Sequence, residues 1–286
     1  MKKVILIIVS VFAFMGCAHN NTIDYTAEQM AKLGKTTYAS VEGKFIGIWP
    51  GDSLITNNEQ AQQIFDMGVR GMFLGDTWWW PDYYKGFNNI DEFYEAVKIF
   101  PVKMKPIVRD DYESEIIKYP CQYYYVGEYI LNNLGVAYVE KRIASVKKIR
   151  PESVLIVDDT FRLFRGRVKV LDCGYMYSAY EDLKELLGSG IGLTVASDQS
   201  GAWRKMKKKF GDKFFMGWIF GENKCDEYES LFRTADELGL TGIWVYFGNN
   251  ELKTRDEAIK HLYQICETAV KTGWLKYGDK PALIDK

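Results

Sequence analysis

Short apolar runs alternate with stretches of helical spacing along most of this chain. The apolar runs are residues 44–51, 69–75, 103–108, 122–127, 153–159, 168–177, 190–197, 213–221 and 241–248. Between them, apolar residues recur every three or four positions, which predicts helices. The predicted helices are residues 57–67, 89–100, 111–118, 131–149, 180–187, 202–210, 226–238 and 255–271. Near-continuous apolar strands separated by amphipathic helices indicate a parallel sheet covered on both faces.

The number of strands favours a closed barrel. Nine candidate strands exceed what an open doubly wound sheet usually has. A (β/α)8 barrel needs eight strands in roughly 250 residues, and residues 44–275 fit that length. One candidate, 168–172 or 190–197, is then an excursion. We predict an α/β protein with a single (β/α)8 TIM-type barrel domain over residues 43–286.

The N-terminus has a different pattern. Two lysines precede an apolar stretch from Val4 to Met15, and Gly16-Cys17 follow. This order is typical of a secretory signal peptide, and the stretch is shorter than the roughly 20 residues of a membrane span. The small residue before cysteine resembles the lipobox of bacterial lipoproteins. That resemblance implies that residues 1–17 are a signal peptide and that Cys17 is lipidated.

A lipid on Cys17 implies an extracytoplasmic protein anchored to a bacterial membrane. Ala18 resembles the pattern for outer-membrane sorting in a host with two membranes. The polar residues 18–42 are then expected to be a tether. A plain signal peptide cut near Ala18, or an uncleaved anchor, is the alternative.

Composition argues against several kinds of site. The net charge is -1 with no basic stripe, so no nucleic-acid partner is expected. The cysteines after Cys17 lack C-x-x-C spacing, which argues against zinc and leaves buried thiols or disulfides open. They are Cys121, Cys173, Cys225 and Cys266. His19 and His261 are the only histidines, and His261 is expected on a helix surface. A histidine-based triad or metal site is therefore not predicted.

Four runs end in glycine followed by a polar residue, at 71–76, 124–129, 218–223 and 244–250. Glycine permits a sharp turn, and Asp76 or Asn249 can cap the next helix. Glutamate is a poor N-cap, so Glu128 and Glu222 need another explanation. One is an ion pair with Arg109 or Lys105. The other is a pair of carboxylates facing each other across a cleft.

Glutamates at the ends of strands 4 and 7 resemble a large clan of (β/α)8 glycoside hydrolases. The resemblance implies retaining hydrolysis of an extracytoplasmic carbohydrate, with Glu128 as acid/base and Glu222 as nucleophile. It also implies that Tyr175 or Tyr177 holds the nucleophile, and it implies no cofactor. Gly127 stands where the clan usually has asparagine. A barrel that binds glycan without cleaving it, or a structural lipoprotein that binds a protein, is therefore the alternative.

Aromatic residues suggest where a sugar would stack. Three consecutive tryptophans in the TWWWPDYY segment (77–84) cannot all face a core, and sugar rings stack on aromatic planes. Trp218 and Trp244 lie inside strands, where core packing is the simpler explanation. The predicted substrate-binding residues are Trp49, Asp76, Trp78, Trp79, Trp80, Arg109, Asp110, Asp158, Tyr175, Tyr177, Trp218 and Asn249.

Three strand-end acids, Asp110, Glu128 and Asp158, resemble the magnesium ligands of the enolase superfamily. No Lys-x-Lys base follows the second strand, and few residues separate Asp110 from Glu128. We therefore predict no metal and expect these acids to orient sugar hydroxyls or to pair with arginines.

Overall fold

A computed structural model describes most of the chain beyond residue 24. The described residues are 25–50, 54–75, 86–107, 110–126, 136–157, 191–192, 199–220, 225–247 and 254–278. In these ranges no helix is long and apolar enough to cross a membrane.

The described residues contain eight parallel strands that are hydrogen-bonded into a closed ring. They are β2 (Phe45–Trp49), β3 (Val69–Phe73), β4 (Val102–Pro106), β5 (Tyr123–Val126), β6 (Val154–Val157), β7 (Ile191–Gly192), β8 (Phe214–Phe220) and β9 (Gly242–Tyr246). The last strand returns to the first, and Phe45 to Trp49 pair in register with Gly242 to Tyr246. The prediction of an α/β fold with a parallel, TIM-type barrel is confirmed. Of the two candidates for an excursion, the 190–197 run supplies β7, and 168–172 lies outside the described residues.

Helices follow seven of these eight strands, and the residues after β6 lie outside the described ranges. The helices are α2 (Asn58–Asp66), α3 (Ile90–Ala96), α4 (Tyr112–Lys118), α5 (Val136–Ile149), α6 (Gln199–Phe210), α7 (Cys225–Glu237) and α8 (Arg255–Lys271). N-capping side chains determine where several of these helices begin. Asn57, Asn89 and Thr254 each accept a hydrogen bond from the third backbone N–H of their helix.

The lumen of the barrel is filled by large apolar side chains. Its cluster comprises Phe73, Met104, Tyr125, Ile156, Met216, Trp218 and Trp244. Two glycines make room for Trp244, which is fully buried. A Cβ on Gly47 would lie 2.6 Å from the Trp244 ring, and a Cβ on Gly71 would lie 3.1 Å from it. The lumen is therefore a packed core that leaves no room for a ligand inside it.

The segment predicted as a tether is folded from Tyr25 onward. It forms α1 (Ala27–Leu33) and β1 (Tyr38–Ser40), and β1 pairs antiparallel with β10 (Leu275–Tyr277). Tyr38 is buried, and its hydroxyl donates to Glu267 over 2.5 Å. The backbone N–H of Val41 also donates to the carbonyl of Trp274. This part of the N-terminal segment therefore packs against the barrel domain.

Two of the cysteines are buried free thiols. Cys121 and Cys266 form no disulfide, and burial raises the pKa of the Cys121 thiol to about 12. Burial likewise raises the pKa of the Cys266 thiol. Both thiols are therefore protonated and unreactive at neutral pH. The side chains of Cys173 and Cys225 lie outside the described residues.

His261 differs from the sequence expectation, because its side chain is buried rather than on a helix surface. Residues 261 to 266 of α8 are all buried, so this helix is covered on more than one side. The Nδ1 atom of His261 makes no hydrogen bond within the described part of the chain. Burial lowers the pKa of this imidazole, and the nearby Glu257 opposes that shift only in part.

We expect His261 to make the protein less stable at mildly acidic pH. The unfolded chain binds a proton on this residue below about pH 6.5, whereas the folded chain binds it only at lower pH. The unfolding free energy should therefore fall as pH falls from 7 to 5.5, by up to about 1.4 kcal/mol per pH unit from this group. Urea unfolding of the parent and of His261→Leu across this range isolates the contribution. Parallel pH profiles for the two proteins would contradict it.

Candidate functional site at the carboxyl end of the barrel

Aromatic side chains from five strands form a layer at the carboxyl end of the lumen. We call Trp49, Phe73, Tyr125, Trp218 and Tyr246 the aromatic layer. The Trp49 ring stacks on Phe73 with centroids 4.1 Å apart and planes 14° apart. Tyr246 and Trp49 form an edge-to-face pair with centroids 4.9 Å apart, and the Trp218 ring lies 5.8 Å from Trp49. Phe73 meets Tyr125 at 5.5 Å.

The aromatic layer is graded in exposure. Phe73, Tyr125 and Trp218 are buried, whereas Trp49 and Tyr246 are partly exposed. Trp49 and Tyr246 are the last residues of β2 and β9, which are paired neighbours. Because parallel barrels place their ligand sites at the carboxyl ends of the strands, these two rings face the region where a ligand is expected. The three buried rings of the layer support them and close the lumen.

The structure describes three of the predicted substrate-binding residues. Trp49 and Trp218 belong to the aromatic layer, and Trp218 is 3% exposed, which agrees with core packing. Asp110 is exposed and lies two residues before α4. Trp244 is a lumen residue whose indole N–H donates to the sulfur of Met216 over 3.2 Å. The remaining predicted site residues lie outside the described ranges: Cys17, Asp76, Trp78, Trp79, Trp80, Arg109, Glu128, Asp158, Tyr175, Tyr177, Glu222 and Asn249.

Sequence reasoning missed Phe73, Tyr125 and Tyr246, although a signal for them exists. Each lies two residues before the glycine that ends its apolar run, as does Trp49. Alternate residues of a strand face the same side. The residue two places before a shared turn therefore tends to face the same way in each strand, here into the lumen.

Lys105, a candidate partner of Glu128 or Glu222 from the sequence, forms an ion pair with Glu115. Its ammonium lies 2.7 Å from the Glu115 carboxylate of α4, and both side chains are buried. Among the described residues, no group of three or more histidine, cysteine, aspartate or glutamate side chains could hold a metal ion.

Comparisons with known proteins give little beyond the fold. No family model matches the chain, and no curated protein matches it. Among solved structures, it is similar to a phospho-2-dehydro-3-deoxyheptonate aldolase (DAHP synthase) from Thermotoga maritima. The identity is 13% and the TM-score 0.49, over 81% of this chain and 70% of that one. A match at this level assigns no activity to this chain.

The prediction of a glycoside hydrolase is wrong. No family model supports it, and the similar solved barrel is named as an aldolase. The resemblance rested on strand order and on glutamates after two strands, and barrels of unrelated chemistry share such positions. The roles of Glu128 as acid/base, of Glu222 as nucleophile, and of Tyr175 or Tyr177 as its holder followed from that resemblance and fall with it.

Proposed function

We propose that this protein binds a carbohydrate at the carboxyl end of its barrel, against the aromatic layer. The observation that carries the proposal is Trp49, which ends β2, stacks on Phe73 at 4.1 Å and remains partly exposed. Sugar rings present C–H faces that pack on such an aromatic plane. Because Phe73 and Tyr246 already hold the Trp49 ring, little side-chain freedom is lost when a ligand stacks on it.

Polar residues that would orient sugar hydroxyls are supplied, in this proposal, by the segments that follow the strands. Asp76, Arg109 and Asn249 each come three residues after a strand, and Asp158 comes directly after β6. The segment with Trp78, Trp79 and Trp80 follows β3. An apolar surface with a few polar groups around it is the usual composition of a small-molecule site.

Replacing Trp49 with alanine should weaken saccharide binding at least tenfold, because the stacking surface is lost. Trp49→Phe should retain part of the affinity. Titration calorimetry of the parent with a panel of soluble oligosaccharides identifies the ligand, and the same titration on each variant measures the loss.

Tyr277→Ala is the matched control for this experiment. Tyr277 is an exposed aromatic residue on β10, outside the barrel ring, so its loss should leave affinity unchanged. Equal affinity of Trp49→Ala and the parent would remove Trp49 from the site. A parent that binds none of the panel would overturn the proposal.

We also propose that the protein is exported and held to a bacterial membrane by a lipid on Cys17, and that this is the outer membrane in a host with two membranes. In this proposal residues 1–17 are the signal peptide. Residues 158–190 supply the helix that follows β6, the fifth strand of the ring, and so complete a (β/α)8 barrel. The support is the lipobox-like sequence and the periodicity of those residues. Mass spectrometry of the mature N-terminus tests the lipid, because Cys17→Ser should lack the diacylglyceryl mass that the parent carries.

A further inference from the structure

Lys105 is a charged side chain inside the protein. It lies on β4 and is fully buried between the strands and α4. Its ammonium is 2.7 Å from the carboxylate of Glu115 and 4.9 Å from the ring centre of Tyr119. It also donates a hydrogen bond to the carbonyl oxygen of Gly75 over 3.3 Å. A single cation therefore connects β4, the middle of α4 and the residue two places beyond the end of β3.

Burial of this charge is costly, and stability alone does not account for it. An ion pair inside a protein loses hydration that its attraction only partly restores, and well-packed apolar side chains often replace such a pair at no loss of stability. The hydrogen bond to Gly75 is what an apolar residue could not supply. An ammonium group has several donors, so Lys105 can bind the Gly75 carbonyl while it remains neutralised by Glu115.

Gly75 lies close to the aromatic layer in the chain. Just past the end of β3, the backbone N–H of Leu74 donates to the carbonyl of Met104 on β4 over 2.7 Å. Lys105 extends that connection by one residue through its side chain. Phe73, two residues before Gly75, is the ring on which Trp49 stacks. Movement of the β3 end would thus be transmitted to the support of Trp49.

We propose that Lys105 is a positioning residue, which fixes the carboxyl end of β3 and thereby holds Phe73 and Trp49 in the geometry that receives the ligand. The positioning of β3 stands on the contacts of Lys105 itself. Its consequence for a ligand rests on the proposed function, so the two parts are measured separately.

The test compares variants that keep the fold. Lys105→Met alone removes one partner of a buried ion pair, which destabilises the whole domain. The informative protein is Lys105→Met/Glu115→Gln, which removes both charges and the bond to Gly75. If it does not fold, Lys105→Gln/Glu115→Gln provides two neutral side chains that can hydrogen-bond to each other. Lys103→Met is the matched control, because Lys103 lies on the same strand and donates to the carbonyl of Phe100 instead.

The first readout needs no ligand. Amide hydrogen exchange by NMR should show the Leu74 amide exchanging at least tenfold faster in the double variant, while the Ile48 amide and the urea midpoint stay unchanged. The near-ultraviolet circular dichroism of Trp49, taken as the difference between each protein and its Trp49→Phe counterpart, should decrease as well. Lys103→Met should change neither. An unchanged Leu74 amide, or equal acceleration in every strand, overturns the inference.

The second readout is affinity for the oligosaccharide that the parent binds. The double variant should lose at least tenfold, and Lys103→Met should lose none. Unchanged affinity in the double variant overturns the ligand part of the inference. A parent without affinity for any oligosaccharide overturns the proposed function, and the exchange result then decides the positioning role on its own.

Discussion

Gly47→Ala should lower the unfolding free energy by about 3 kcal/mol, near the upper end of the effects of overpacked cores. Gly47 lies on β2, and a Cβ there would be 2.6 Å from the six-membered ring of Trp244. Trp244 cannot move away easily, because the Phe45 ring meets it edge-on at 5.8 Å and Trp218 lies 6.0 Å from it. For a domain of this size, the melting temperature should fall by about 6 to 12 °C. Thermal and urea unfolding followed by circular dichroism measure both quantities.

Two further variants show whether the clash causes the loss. Gly34→Ala is the control, because Gly34 has an ordinary helical φ of -61° and its nearest neighbour would be 3.3 Å from the new Cβ. It should change stability little. Combining Gly47→Ala with Trp244→Leu should recover part of the stability that the two changes lose separately, since contacting residues are not additive. Strict additivity would show that the Trp244 ring is not what the new methyl group meets.

Removal of the N-terminal segment should have a still larger effect. A chain that begins at Lys44 lacks α1 and β1 and should lose about 5 kcal/mol of unfolding free energy. Burial of Leu33 and Tyr38 contributes about 1.5 to 3 kcal/mol each, and β10 loses its partner strand. Because small domains are stable by only about 5 to 15 kcal/mol, much of this protein should be unfolded at 37 °C. Urea unfolding of the purified chain gives the value.

A chain that begins at Tyr25 is the matched control for this truncation. It retains α1, β1 and the hydrogen bond between Tyr38 and Glu267, so it should unfold at the same urea concentration as a chain that begins at Ala18. If the chains that begin at Tyr25 and Lys44 unfolded together, residues 25–43 would be the dispensable tether that their polarity suggests.

The barrel could be predicted from the sequence because its signals are local. Most barrel strands are apolar runs, and the adjoining helices have their own periodicity and often their own cap, as Thr254 shows for α8. β1 has no such signal. It is three residues long, and its contacts are distant in the chain, with Tyr38 and Glu267 separated by 229 positions. Long-range pairing of so short a strand leaves no pattern that a sequence window can detect.

The burial of His261 was missed for a related reason. An amphipathic pattern predicts one buried face, whereas α8 is buried on more than one side. Gly34, which follows α1, lies against this helix, since a Cβ there would be 4.0 Å from the hydroxyl of Tyr263. The N-terminal segment covers part of α8, and that cover became visible only with the fold.

The candidate site was predictable in place but not in chemistry. Parallel topology puts the strand ends at one edge, so Trp49 and the Gly-acid endings indicated the end of the barrel at which the aromatic layer lies. The alternation within strands also contained the positions of Phe73, Tyr125 and Tyr246. The reaction was not contained in these features, because the same strand-end positions serve many chemistries. Assigning catalytic roles to Glu128 and Glu222 went beyond what position alone supports.

The indoles of Trp49, Trp218 and Trp244 form a continuous series, with centroids 5.8 Å and then 6.0 Å apart. At such separations, excitation energy passes between indoles on the timescale of their light emission. Light absorbed by the two buried rings therefore also reaches Trp49, the partly exposed member of the series. A molecule that covers Trp49 should change the emission of all three, so these indoles form an optical reporter for a ligand bound at Trp49.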